Sequence, residues 1–518
     1  MKRLLYLITT FIIILTWSSC RNDFEFSPST GNLTFSKDTV YLDTIFANIG
    51  SSTYNLKVYN NSDEDISIPT IQLSNGENSG YRLNVDGISG KSFENVQLLA
   101  KDSMFVFVET TYNTTTNPLP TTEFLYTDAI EFDSGNNLQK VELVTLVKDA
   151  IFIYPDRDNT TQVIETLTLT VDGEPVETEL QGRELLPEEL TFTNQKPYVI
   201  YGYAAVPAGE TLTIDAGARI HFHANSGLIV QENASLNVNG ALSNDEELLE
   251  NQVIFESDRL EPIYSDVPGQ WGTIWLFENS QNNTINYATI KNGTVGILSD
   301  GNADAVTDKL TITNSQIYNF STFGILGRNT SINAQNIVIN NAGQSSFGAT
   351  LGGKYNVTHS TIANYWSNSF RQFPALLINN FVLDENNTAF LADLTEANFN
   401  NCIIYGNDNP ELIVDEIEDN SVIFNFKLTN CLLRFDNNSG NFSGNNYDFS
   451  NTTHYENIIF NQDPNFRNPS AKDLIIGETS AANNQGNTTF ATQVPNDILG
   501  VNRTASPDLG AYQHVIFE

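Results

Sequence analysis

"VPAGETLTIDAGARIHFHANSGLIVQENASLNVNGAL", Val206 to Leu242, is the stretch on which the fold turns. Apolar and polar residues alternate in runs of about four or five, and Gly, Asn or Ala-Gly ends each run. Thr211-Leu212-Thr213-Ile214, Arg219-Ile220-His221-Phe222 and Ser235-Leu236-Asn237-Val238 each carry the period of two of a half-buried strand. No helical period comes between them. The stretch predicts many small strands joined directly by turns.

Further along the same device repeats and can be aligned. An eight-residue template fits "INYATIKN" at Ile285, "ITNSQIYN" at Ile312, "AQNIVINN" at Ala334, "VTHSTIAN" at Val357, "FNNCIIYG" at Phe399 and "LTNCLLRF" at Leu428. The starts lie 27, 22, 23, 42 and 29 residues apart. The sixth position is always Ile or Leu: Ile290, Ile317, Ile339, Ile362, Ile404 and Leu433. A unit of this length cannot bury its own apolar face, so the copies must stack as a solenoid. With strands only, that solenoid is a parallel β-helix. It should carry an Ile ladder inside and an Asn ladder at the turns, and the longer spacings should emerge as loops. Cys402 and Cys431 share the fourth position in successive copies, so they should lie close, as buried stacked thiols in preference to a disulfide.

The pieces "VPAGETLTIDAGARIHF", "GLIVQENASLNVNG", "GQWGTIWLF" and "INYATIKNG" together resemble the bacterial right-handed parallel β-helix, or pectin-lyase-like, superfamily. Trp271-Gly272-Thr273-Ile274 is similar to that family's W-G-G-I rung, and Asp508-Leu509-Gly510-Ala511-Tyr512 to its C-terminal D-I-G-A-Y. The resemblance implies a right-handed β-helix over 199–475 and a C-terminal cap or tail over 476–518. It leaves activity open, because one fold hosts many functions. Enzymes of the superfamily are lyases, which need a basic residue and a cation, or hydrolases, which need clustered carboxylates. The polygalacturonase-like signatures NTD, GHG and RIK are missing. The basic residues Lys291, Lys309, Arg328, Lys354, Arg371, Lys427 and Arg434 fall in different coils at different template positions.

Upstream, residues 1–19 read as a targeting segment: Lys2 and Arg3 precede an apolar run from Leu4 to Trp17. "WSSC" then resembles a bacterial lipoprotein signal, which implies lipid attachment at Cys20. Residues 20–32 read as a tether. From 33 to 152, "TVYLDTIF", "YNLKVYNN", "ISIPTIQL", "YRLNVDG", "MFVFVETTY", "AIEFD" and "KVELVTLV" are short strands between turns, the footprint of an Ig-like β-sandwich. "NLKVYNNSDEDISIPTIQL" resembles the hydin-like Ig domains. Residues 153–198 read as a linker or cap. The fold class is therefore all-β, a sandwich followed by a solenoid.

Of 518 residues, 25 are Lys or Arg and 62 Asp or Glu, a formal charge of −37 that becomes −39 once residues 1–19 are removed. Such a field repels nucleic acid and anionic headgroups. The expected place is the outer membrane, lipid-anchored, with Asp23 and Glu25 resembling the surface-export signal of Bacteroidota lipoproteins and so implying outward display. Expected partners are the membrane through its anchor and other surface proteins or glycans. The leading functional reading is a non-enzymatic binding or scaffold module, such as an accessory subunit of an outer-membrane complex. Its alternatives are a polysaccharide lyase or glycosidase, and a carbohydrate-binding protein of an uptake system. Candidate binding residues are Tyr365, Trp366, Phe370 and Arg371, aromatics and a cation concentrated in the longest insertion. They either present a sticky loop or fold back as a plug. No catalytic residue, metal ligand or cofactor beyond the lipid is expected. Asp300, Asn302, Asp304 and Asp308 echo a calcium-loop spacing, but Ala305 replaces its Gly and Thr311 its closing Glu, so they read as a solvated insertion. His221 and His223 share a strand face without an evident third zinc ligand.

Overall fold

The computed structural model describes residues 25–171, 173–303, 306–437 and 440–517; Cys20 and Asp23 lie outside them. The chain divides into two units, 1–149 and 150–518.

In the first unit, two sheets share one core. The first sheet orders Ser27–Pro28, Ile66–Leu73, Glu123–Phe132, Gln139–Lys148 and Thr39–Phe46, with Ser92–Leu98 also on Ile66–Leu73. The second orders Thr34–Phe35, Tyr54–Tyr59, Ser103–Thr110, Tyr81–Val85 and Ile88–Gly90. Alternation decides what is buried. Val40, Ile71, Ile130 and Leu143 enter the core from one sheet, and Leu56, Val58, Leu83, Val106 and Val108 from the other. Each contributes about 1.5–3 kcal/mol by burial.

The second unit is a parallel β-helix. Its strands form three faces, each paired in parallel with the coil before and the coil after. On the first face the run is Thr211–Asp215, Ser235–Asn239, Asn283–Asn286 and Leu310–Thr313, continuing through the later halves of Phe323–Gln335 and Phe347–Thr358 to Leu394–Asn400 and Lys427–Leu433. The second face holds the predicted ladder. Ile290, Ile317, Ile339, Ile362, Ile404 and Leu433 are register partners from coil to coil, and each is fully buried. The third face runs from Tyr203–Val206 and Gly227–Val230 to Leu412–Asp415.

Two asparagine ladders close the turns. Between the first and second faces one residue per coil takes a left-handed conformation, at Tyr287, Asn314, Asn336, His359, Asn401 and Asn430. Asn pays little strain there, because its short polar side chain bonds locally. Asn336 Nδ2 donates to Asn314 Oδ1 at 2.9 Å, and Asn314 Nδ2 to Asn286 Oδ1 at 2.9 Å. After the second face, Asn341 donates to Asn319 and Asn319 to Asn292. The amides sit over one another as the coils do, satisfying polar groups that burial would otherwise strand.

Some boundaries differ from expectation. Ile151–Ile153 pairs in parallel with Tyr198–Ile200, so the solenoid begins near residue 150 and 153–198 is its first coil, not a linker. Within it, the hairpin of Thr166–Val171 and Glu174–Glu184 covers Ala205 and Ile229 on the outside of the third face. The C-terminal segment lies along the outside of the second face: Leu474, Ile475, Ile498 and Tyr512 pack on Val338 and Ala363, and Ile476 and Leu509 on Ile403 and Leu432. The last coil is packed instead by aromatic rings, with Phe449 4.9 Å from both Phe435 and Phe460. Cys402 and Cys431 are free and buried; their Sγ atoms face the carbonyls of Asn400 and Phe399.

His359 takes an asparagine slot and shares a 2.9 Å hydrogen bond with Asn401. Burial first, then the Arg503 charge, holds its pKa down at about 2. Between there and the ordinary histidine value near 6.5 the unfolded chain binds a proton that the folded one refuses. Stability from this group is complete above about pH 6.5 and falls by up to ~1.4 kcal/mol per pH unit below it. Denaturant unfolding at pH 7 and pH 5 should show His359→Asn losing about 2 kcal/mol less than wild type over that interval.

Candidate functional site

Outward positions of the first face form two columns whose composition departs from the acidic chain. One is Thr213, Asn237, Thr284, Thr311, Asn333, Asn356, Asn398 and Lys427, each the register partner of the next. The other passes through Asn239, Asn286, Thr313, Gln335, Thr358, Asn400 and Thr429. Core residues alternate with them: Ile332 and Ala334, Tyr355 and Val357, Ala397 and Phe399 are fully buried. Strand alternation therefore aims these amides and hydroxyls away from the core.

Over the later coils this polar face becomes a groove of about 570 Å³. Its floor is Asn333, Asn356, Asn398, Gln335, Asn400 and Lys427, and its wall is Asn487, Thr489, Phe490 and Gln493 of the C-terminal segment. The wall is fixed by the turn ladder. Asn401 donates to the Asn487 carbonyl at 3.0 Å and accepts from the Asn487 N–H at 2.8 Å. The Asn487 side chain in turn caps the short helix Thr488–Gln493 through the Thr489 N–H at 2.9 Å. The same residues that turn the chain thus place the wall beside the floor.

The groove's polar side chains are bonded to one another. Asn398 Nδ2 donates to Asn356 Oδ1 at 2.9 Å and Asn356 Nδ2 to Glu396 Oε2 at 3.1 Å, so each amide is held in orientation by its neighbour. Lys427 Nζ is 2.7 Å from Glu456 Oε2, which balances the one cation among the described lining residues with the one carboxylate.

A second, acidic cleft of about 1110 Å³ lies at the last coils, lined by Asp415, Glu416, Glu418, Asp419, Tyr447 and His454. Desolvation raises the pKa of Asp415, and desolvation likewise raises that of Tyr447. Glu416 accepts from Asn446 at 2.8 Å, while the His454 ring stacks on Phe426 with centroids 4.3 Å apart.

The residues singled out in the longest insertion are not gathered in one exposed loop. Trp366 is buried, and Tyr365 packs edge-on against Phe466 in the C-terminal cluster. Arg371 forms a bidentate pair with Glu411 at 2.6 and 2.8 Å, with side-chain exposures of 2% and 0%. Glu411 also accepts from the N–H groups of Asp408 in its own loop and of Ala375 at the end of the insertion. Arg371 donates to the Asn364 carbonyl at the insertion's start, at 3.2 Å. Of the four, Phe370 alone is open, at 84% exposure.

The residues of the calcium-like stretch diverge. Asp300 binds Arg328 and the Trp275 indole N–H, Asn302 accepts from the Asn279 N–H, and Asp308 pairs with Lys354 at 3.1 Å; Asp304 lies outside the described residues. Lys309 points inward to the carbonyls of Phe277 and Asp300, and burial brings its pKa down to about 7. His221 meets the Ser257 carbonyl, and His223 pairs with Asp258 at 2.7 Å, which raises its pKa. No group of three or more His, Cys, Asp or Glu among the described residues is placed to hold a metal ion.

No protein-family model matches the chain, and no curated protein matches it. Solved structures align only loosely, among them the following three. The catalytic unit of the thermostable GH87 alpha-1,3-glucanase from Streptomyces thermodiastaticus strain HF3-3 is 9% identical, with 73% of this chain and 79% of that one covered at a TM-score of 0.21. The E. coli chaperone DraB is 13% identical over 30% of this chain and 82% of that one, at 0.16. A PapD-like domain of human CEP192 is 12% identical over 26% and 94%, at 0.15. Alignments this loose have no bearing on function.

The Arg371–Glu411 pair makes a direct prediction. Arg371→Ala leaves a buried carboxylate alone and should cost about 3–5 kcal/mol in denaturant unfolding. An apolar replacement of both partners, Arg371→Met with Glu411→Leu, should recover most of it.

Proposed function

We propose that this protein is a surface-displayed lipoprotein whose β-helix binds an uncharged glycan without cleaving it, in the groove between the first face and the helix Thr488–Gln493. The observation carrying this reading is the run of amides and hydroxyls from Asn237 to Asn400 on a chain of formal charge −37. Neutral donors and acceptors match sugar hydroxyls, and Phe490 supplies an apolar surface for a ring face. Polyanions would meet a strongly negative molecule instead. Anchoring at Cys20 is supported by "WSSC" after a basic and apolar leader, and outward display by Asp23 and Glu25. The two-sheet N-terminal unit, read as Ig-like, would serve as the spacer or partner-binding module between the anchor and the solenoid.

A second reading rests on Asp415. Asp415, at the exposed end of its strand, shares the cleft with Glu416, Glu418 and Asp419, and glycoside hydrolysis needs such clustered carboxylates. It places hydrolysis in the acidic cleft.

The soluble chain from residue 21 should bind uncharged polysaccharides in calorimetry or on a glycan array. Asn356→Ala and Asn398→Ala should each weaken that binding about 2–10-fold, at about 0.5–1.5 kcal/mol per hydrogen bond, with melting temperature little changed. Release of reducing ends that Asp415→Asn abolishes would replace this reading with the hydrolytic one.

In cells, Cys20→Ala should abolish incorporation of labelled palmitate and move the protein out of the membrane fraction. Unchanged labelling would remove the anchor.

A further inference from the structure

We infer that the protein has a second binding site, apart from the groove, in the cavity between the second face and the C-terminal hairpin, and that it takes one uncharged polyol of monosaccharide size. This site does not rest on the glycan-binding reading.

The cavity, of about 250 Å³, lies where the apolar cover of the second face ends. The C-terminal segment packs on Val338 and Ala363, but one coil earlier the register partners of Val338 and Asn340 are Gln316 and Tyr318. Both point outward, since Ile317 between them is fully buried. They make the floor. The hairpin of Phe466–Asn468 and Asp473–Ile476 contributes Arg467, Lys472 and Ile475, and Tyr512 lines the cavity from farther along the tail. Facing them are Leu242, Glu246 and Leu249, from the insertion between Ser235–Asn239 and Val253–Ser257. Each segment is fixed by its own polar contacts. Arg219 donates to the Leu249 carbonyl at 2.9 Å and to the Gln252 carbonyl at 2.7 Å, and Lys472 ties the hairpin to Asp266 at 2.8 Å.

The polar groups of the cavity lack partners. Tyr512 is 6% exposed, yet its hydroxyl has no hydrogen-bond partner among the described residues, and the same holds for the Tyr318 hydroxyl and the Gln316 amide. Burial, and then the carboxylates of Asp473, Asp497 and Glu246, raises the pKa of Tyr512, and burial likewise raises that of Tyr318. Both stay neutral phenols, able to donate as well as to accept. A buried hydroxyl without a partner is costly, and a ligand that bonds it removes that cost.

The charges of the cavity set the ligand's charge. Arg467 is paired with Asp473 and Lys472 with Asp266, while Glu246 adds a further carboxylate. A phosphate or a carboxylate would therefore enter a net negative site. What the protein leaves open are neutral groups that donate and accept, beside the aliphatic surface of Leu242, Leu249 and Ile475. Hydroxyls on one side and an apolar face on the other describe a pyranose or a similar polyol. At about 30 Å³ per water the volume is that of about eight waters, which admits one ring and excludes a chain.

The test is calorimetric titration of the soluble chain from residue 21 with glucose, galactose, mannose and inositol, and with galacturonate, glucose phosphate and glucosamine as charged counterparts. At least one neutral compound should bind with a Kd of about 1 mM or tighter. Tyr512→Phe and Gln316→Ala should each weaken it about 2–10-fold with melting temperature little changed, and Asn356→Ala, in the groove, should leave it unaltered. Should Tyr512→Phe lower the melting temperature, Gln316→Ala at its partly exposed position decides alone. Unchanged affinity in Gln316→Ala would overturn the inference, as would tighter binding of a charged counterpart, or no binding of the four neutral compounds by the folded protein. The groove reading would survive each of these, because it stands on polysaccharide binding that Asn356→Ala weakens.

Discussion

Each coil of this solenoid exists only because its backbone pairs in register with the coil on either side. That one constraint propagates into every other feature. With strands locked ~4.8 Å apart, whatever stands at a position in one coil stands over its equivalent in the next. An apolar residue becomes a ladder, as from Ile290 to Leu433. A buried polar residue must find a partner of its own kind, and the Asn286–Asn314–Asn336 and Asn292–Asn319–Asn341 stacks do so with amides, each of which both donates and accepts. Where another residue holds the slot, as His359 does, it is bound by the same logic and kept uncharged by burial.

A strand pair takes up at most a bulge, as at Thr395 opposite Gly353 and Lys354, so longer additions are expelled into the turns and must be secured there. The insertion after Asn364 is fastened by Arg371 to Glu411, a buried ion pair whose worth lies in fixing one path for the loop. The hairpin of Phe381–Leu383 and Ala389–Leu391 is a second excursion from the same coil. Val338, Ala363, Ile403 and Leu432 point out of the second face and need an apolar cover, which the C-terminal segment provides. Its docking carries the helix Thr488–Gln493 to the rim of the first face. The groove is a by-product of covering those four residues.

Electrostatics separates this groove from the rest of the surface. In a chain with 62 acidic residues, two columns of the first face nevertheless use Asn, Thr and Gln across successive coils, with charge confined to positions such as Lys354 and Glu396 beside them. Stacked like charges would repel at ~4.8 Å, so a neutral column is the low-energy choice for repeated positions. In the acidic cleft at the last coils the stacking no longer continues, and carboxylates crowd where no further coil follows.

Much of the solenoid was legible in the sequence. The alternation in 206–242, the invariant Ile or Leu at the sixth template position and the Asn-rich turns are local consequences of strand pairing, and they register residue for residue. In the N-terminal unit the seven strands read from alternation recur, joined by Ser92–Leu98 and by the short strands Ser27–Pro28, Thr34–Phe35 and Ile88–Gly90. What could not be read was anything set by segments far apart in the chain. The first coil at 153–198 hid because alternation in strands such as Thr166–Val171 does not say what they pair with, and its coil partners, Tyr198–Ile200 and Tyr203–Ala205, are shown only by the fold. Arg371, Tyr365 and Trp366 looked like a binding loop because local composition does not say whether an aromatic insertion folds outward or inward; Glu411, forty residues on, decides it. The groove floor was present as alternating Thr and Asn, but its wall arrives from residues 487–493, brought there by apolar contacts of the tail. By itself the sequence determined the repeat and its side-chain ladders, since these follow from nearest-neighbour pairing. Which ladder became a site was settled only by tertiary packing, because a wall and a floor from distant parts of the chain make a groove only once they are docked.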